Sequence, residues 1–155
     1  MAALTRRFDN VGLLVLRVVV GFLIAAHGYQ KLTTVGPAGF GRGTLDSLGV
    51  PAPVLAGYVV TFVELVGGVL LILGLLTRLA ALALTINLTV AILLVKVKVG
   101  LIAQMAAGAE LDLAYIAAFV ALLLMGPGAL SLDRLIGLDR GHSHGRRSGG
   151  PATAT

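Results

Sequence analysis

The 155 residues are 57% hydrophobic and 12% charged, with a mean hydropathy of +0.99 and a formal net charge of +5. A soluble core of this size needs a polar surface that such a composition cannot supply, so the chain reads as an integral membrane protein. It contains no cysteine, which excludes electron relay through its own disulfides, a cysteine-held iron–sulfur cluster and a thiolate zinc site.

Residues 1–10 form a short N-terminal segment carrying Arg6 and Arg7. The first apolar run, about 11–32, is close to the length of one bilayer crossing. It is long for a signal-peptide core, contains Arg17 and reads Ile24-Ala25-Ala26, so it is expected to be retained. The Arg6-Arg7 pair is not followed by anything resembling a cleavable export signal. A medium loop, Thr33 to Pro53, leads to a second run at 54–76, whose stretch TFVELVGG sets Glu64 just before Gly67 and Gly68. A tight turn at Gly74–Arg78 opens the third run, 79–99, and a segment from Gly100 to Asp112 joins it to the fourth, 113–132. Continuous apolar runs argue against the alternating segments of a barrel. The expected fold is all-α, an up-and-down four-helix transmembrane bundle over residues 11–136.

The tail, 137–155, is basic and rich in Gly, Ser and Pro, and is expected to be disordered, with His142 and His144 solvated rather than ligating a metal. With the N-terminus inside, Arg6, Arg7, Arg78, Arg134, Arg140, Arg146 and Arg147 are cytoplasmic, against Lys31, Arg42, Lys96 and Lys98 outside. Both termini are therefore expected on the cytoplasmic side of a cell membrane. Basic residues spread over both sides of a bilayer do not make a nucleic-acid surface. No Gly-x-Ser-x-Gly elbow or phosphate-cradling glycine loop is present.

The polar residues inside the runs carry whatever chemistry there is. Arg17, Gly21, Ala25, Gly28 and Lys31 share one face of the first helix; Gly57, Thr61, Glu64, Gly67, Gly68 and Leu71 share one face of the second. Small residues let two backbones approach, so Gly21, Gly28, Gly67 and Gly68 are expected at the packing seam, sealing Glu64 from lipid. A rise of about 1.5 Å per residue puts Arg17 about 9 Å, Asn87 about 14 Å, Glu64 about 18 Å and His27 about 24 Å from the cytoplasmic edge. Glu64 is thus expected to have Arg17 below it, His27 above it and Lys31 near the outer mouth. Two readings stand: a buried salt bridge that fixes helix register, or a carboxyl group that carries protons. Asn87 reads as interhelical glue, and Tyr29, Tyr58 and Tyr115 as interface anchors. Lys96 and Lys98 are expected to snorkel outward. Gly126-Pro127-Gly128 breaks the last helix and leaves carbonyls for Ser131 or water to satisfy.

Arg17, then HGYQKL (27–32), LGVPAP (48–53), ELVGGVLLILGLLTR (64–78) and GPGALSLD (126–133), in this order and spacing, resemble the DoxX family of small four-helix membrane proteins. The resemblance extends to Arg78 and Asp133. It implies a membrane subunit of a quinone-linked oxidoreductase, in a thiosulfate or oxidative-stress setting. Its partners would be soluble redox enzymes such as superoxide dismutase and a sulfurtransferase. A lipidic quinone fits an apolar slot between helices, with Arg17, His27, Lys31, Glu64 and Asn87 as candidate contacts and Glu64, Arg17 and His27 as proton-handling groups. Other classes are a noncatalytic anchor for soluble enzymes and a small proton-coupled transporter working as a homo-oligomer.

Overall fold

The computed structural model describes residues 2–94 and 109–138, with residues 2–9 described by their backbone alone. Helix α1 runs Ala2–Thr34, and a short α2, Gly36–Phe40, continues into a π-helical turn, Gly41–Leu45, and a 3₁₀ turn, Asp46–Leu48. Then come α3, Pro53–Leu73; α4, Thr77–Leu94; α5, Ala109–Met125; and a one-turn α6, Leu132–Leu135. No strand occurs among the described residues. The fold is all-α, a four-helix bundle in which α1, α3, α4 and α5 pack in turn and α5 returns to α1.

Residue chemistry sets the ends of these helices. Pro53 opens α3, where a missing N–H costs nothing. Gly74, at φ +68°, closes it, and its N–H bonds the Leu71 carbonyl at 3.1 Å. The second run therefore stops at Leu73, short of the expected Leu76. Helix α5 starts at Ala109, with Glu110 and Asp112 in its first turn beside the positive end of the helix dipole, and it stops at Met125. It ends at the expected Gly126-Pro127-Gly128 break, short of Leu132, because Gly126, at φ +82°, and Pro127 cannot extend a helix. The expected loop from Thr33 is mostly helical turns folded against α3. Lys96, Lys98, His142, His144, Arg140, Arg146 and Arg147 lie outside the described residues.

Among the described residues three helices are long and apolar enough to cross a bilayer: Asn10–Thr34 within α1, Pro53–Leu73 and Thr77–Leu94. Helix α5 has 17 residues. Val18, Phe22, Phe62, Val66, Leu79 and Ile86 turn outward, as the surface of a protein dissolved in lipid should. Inside, Ile24, Leu71, Leu84, Phe119 and Leu122 form the core.

With lipid outside and side chains inside equally apolar, close packing rather than water exclusion joins the helices. Helices α1 and α3 touch backbone to backbone. A Cβ on Gly28 would lie 2.5 Å from the Leu65 nitrogen, and one on Gly68 would lie 2.6 Å from both the Ala25 nitrogen and the Gly21 carbonyl oxygen. Gly67 faces α4 instead, where its Cβ would meet the Leu84 side chain at 3.1 Å. Gly57 and Gly41 allow the turns after α1 to press onto the first turns of α3.

Candidate functional site

Glu64 is 3% exposed, on the face of α3 that meets α1 and α4. Both its oxygens accept from one ammonium: Lys31 Nζ lies 2.5 Å from Oε1 and 2.6 Å from Oε2. From α4 the Asn87 amide donates to Oε1 at 3.3 Å. Lys31 sits 5.2 Å from the centroid of the Phe40 ring, so α2 adds a cation–π contact. Four elements therefore converge on one ion pair.

The pair separates two cavities. One, about 240 Å³, is bounded by Ile24, His27 and Lys31 of α1, Phe40 and Thr44 of the turns, Glu64, Leu88 and Ala91, and Leu111, Asp112 and Tyr115 of α5. The other, about 120 Å³, lies toward Leu45, Val60, Asn87 and Val90. Lys31, Phe40, Glu64 and Ala91 line both.

His27 belongs to the larger cavity but touches neither charge directly. Its Nδ1 lies 2.8 Å from the Leu23 carbonyl. A carbonyl only accepts, so Nδ1 carries the proton and Nε2 of the neutral ring is an acceptor. The ring stands edge-on to Tyr115, with centroids 6.2 Å apart and planes at 80°. Tyr115 is 6% exposed and stacks on Phe119 at 6.1 Å, so it lines the cavity rather than anchoring the chain at the membrane interface. Its position in a window without strong amphipathic contrast gave no sign of this. Tyr29 and Tyr58 are exposed.

Arg17 is not part of this network, contrary to the sequence-based expectation. It is 2% exposed and donates through Nη1 to the Pro127 carbonyl and through Nη2 to the Leu130 carbonyl, each at 2.6 Å. These are acceptors left by the helix break after Met125, and Ser131 takes a third, the Gly128 carbonyl, at 2.9 Å. Beside them Asp133 accepts from the Leu76 and Thr77 amides at 2.6 and 2.8 Å, capping α4. The guanidinium reaches the nearest unsatisfied oxygens and leaves Glu64 to Lys31. Thus Lys31, Glu64, Asn87 and His27 come together around the cavities, whereas Arg17 serves the opposite end of the bundle.

Among the described residues no group of three or more His, Asp or Glu side chains is arranged to hold a metal ion.

Over 128 residues the chain is 36% identical to an uncharacterized membrane protein of Mycobacterium tuberculosis, covering 77% of each chain. It is 32% identical over 128 residues to a Bacillus subtilis protein named "Putative oxidoreductase CatD", covering 82% of this chain and 88% of that one. An uncharacterized Haemophilus influenzae protein is 36% identical over 120 residues, covering 76% and 85%. No solved structure matches. The sequence pattern of the DoxX family matches residues 12–97, and with relatives aligned over three quarters of its length the chain belongs to that membrane family.

Proposed function

We propose that the chain is the membrane subunit of a quinone-linked oxidoreductase and that the larger cavity beside Glu64 receives the quinone headgroup. The observation carrying this reading is an apolar cavity of about 240 Å³ with an ion pair on one wall and a histidine–tyrosine pair on another. Sites for whole drug-sized ligands run to about 300–1,000 Å³, so this one suits a compact one- or two-ring headgroup whose isoprenoid tail stays in the bilayer. The naming of one relative as an oxidoreductase supports a redox role.

The chemistry assigned to this chain is binding and proton handling. Quinone reduction consumes two electrons and two protons, and with no thiol in the chain the electrons come from a cofactor or a partner protein. Lys31 Nζ is a hydrogen-bond donor for a quinone oxygen, and the apolar walls from Ile24, Leu88 and Leu111 exclude water from the ring. Glu64 and His27 are the groups able to hold and pass protons there. The excess of basic residues on one set of loops supports placing both termini in the cytoplasm. In a chain free of cysteine, labelling single cysteines at Ser47 and Leu135 tests that assignment.

Purification in mild detergent, with mass spectrometry of bound lipids and proteins, tests the reading. Ala91→Phe fills both cavities, and Leu93→Phe changes a lipid-facing neighbour. Quinone is expected with the parent chain and with Leu93→Phe, and at least tenfold less with Ala91→Phe. Partner enzymes without quinone would instead make the chain an anchor. Quinone retained in folded Ala91→Phe would move the site elsewhere.

A further inference from the structure

The resting ion pair is closed and neutral, because one ammonium occupies both oxygens of the acid. Few other groups surround Glu64. Asn87 is its single additional donor among the hydrogen bonds described, at 3.3 Å. Phe40 faces the lysine from α2, Thr44 lines the cavity from the turn, and His27 of α1 with Asp112 and Tyr115 of α5 close its far side. A headgroup oxygen that bears negative charge competes with Glu64 for Lys31. Should it win, a carboxylate that is 3% exposed keeps, among the described residues, one weak neutral donor and no second counter-charge. Desolvation then favours the neutral acid, because an unpaired charge in a medium of low polarity is costly.

Building on the quinone reading of this cavity, we propose that the site binds ionised, phenolate-type quinone headgroups through Lys31 and that each such anion brings one proton onto Glu64. The charges balance. The resting site holds ammonium and carboxylate; the filled site holds ammonium, bound anion and a neutral carboxylic acid. One anion and one proton enter together, so the net charge of the bundle interior stays zero. A neutral quinone only accepts a hydrogen bond from Lys31, leaves the pair in place and takes up no proton.

Two ring-matched probes separate these cases. 2-Hydroxy-1,4-naphthoquinone is an anion at neutral pH, and 2-methyl-1,4-naphthoquinone is neutral. Each is titrated calorimetrically into the full-length chain, cleared of native quinone, in buffers with different heats of ionisation. The expected result is uptake of about one proton per hydroxyquinone, about none per methylquinone, and hydroxyquinone affinity that weakens as pH rises. In Glu64→Gln the uptake should vanish and the affinity become independent of pH, while methylquinone binding shows that the site is intact. Leu93→Phe, which changes only a lipid-facing side chain outside the cavity, should keep the uptake. Hydroxyquinone binding without proton uptake, or uptake that survives Glu64→Gln, overturns the proposal. Binding of the methylquinone alone overturns it too but leaves the quinone site standing, and binding of neither probe overturns both.

Discussion

The membrane-spanning part of α1, Asn10–Thr34, carries Arg17 and Lys31 about four turns apart on one face, and the bundle uses them in opposite ways. Arg17 is spent on backbone: both terminal nitrogens end on carbonyls of the segment after α5, and Asp133 beside it is spent on the amides that open α4. Lys31 is set against a side-chain carboxylate with open volume on both sides. Backbone groups cannot leave, change charge or move far without unravelling a helix end, so Arg17 is a clamp. A side-chain pair bordering cavities can exchange partners. Burial of a charge thus says little by itself; the kind of partner and the space beside it separate structure from chemistry.

Removing the clamp is the largest expected change. Arg17→Met leaves the Pro127 and Leu130 carbonyls without their charged donor, and hydrogen bonds to charged groups contribute about 1.5–3 kcal/mol each. A loss of about 3 kcal/mol in unfolding free energy is expected in detergent, with quinone content per folded chain unchanged. Quinone lost from folded Arg17→Met protein would couple the two ends and break the comparison.

A smaller effect is expected at the other end. Lys31→Met strands a buried carboxylate, but the lysine side chain is 24% exposed, so the cost falls below that of a fully buried pair, at about 2 kcal/mol. Adding Glu64→Gln should recover part of that loss, because it removes the stranded charge. Strictly additive single and double variants in the same unfolding measurement would show that the pair is not coupled.

The sequence carried the helices and missed the partners, for reasons visible at particular residues. Apolar runs of spanning length mark the helices, and the glycines at 21, 28 and 68 stand where α1 and α3 touch. Counting depth along each helix, however, assumes that all runs begin at one level. In the structure Gly28 lies against Leu65, and the first turns of α3 run on to meet the turns after α1 through Gly57 and Gly41. This shift brings Lys31 level with Glu64. The acceptors that claim Arg17 lie 110 and 113 residues further along the chain, at a helix break whose tertiary position no local pattern encodes. Asp133 was legible as part of a motif, yet its role as the cap of α4 depends on that same distant contact.

The smallest expected effect concerns Asn87, the third member of the Glu64 group. Its amide nitrogen must be the atom that faces the carboxylate, because the amide oxygen would repel it. At 3.3 Å the bond is longer than the usual N–H···O distance, and interhelical polar contacts in membrane bundles contribute about 0.6 kcal/mol on average. Asn87→Leu exchanges this contact for apolar packing beside the smaller cavity, so unfolding free energy should change by less than about 1 kcal/mol. The same variant removes the one uncharged donor to Glu64 among the described residues, leaving Lys31 to hold the acid. A cost of several kcal/mol, read by the same unfolding assay, would mean that α4 rather than α1 fixes Glu64, and the exchange of Lys31 between acid and ligand would lose its physical basis.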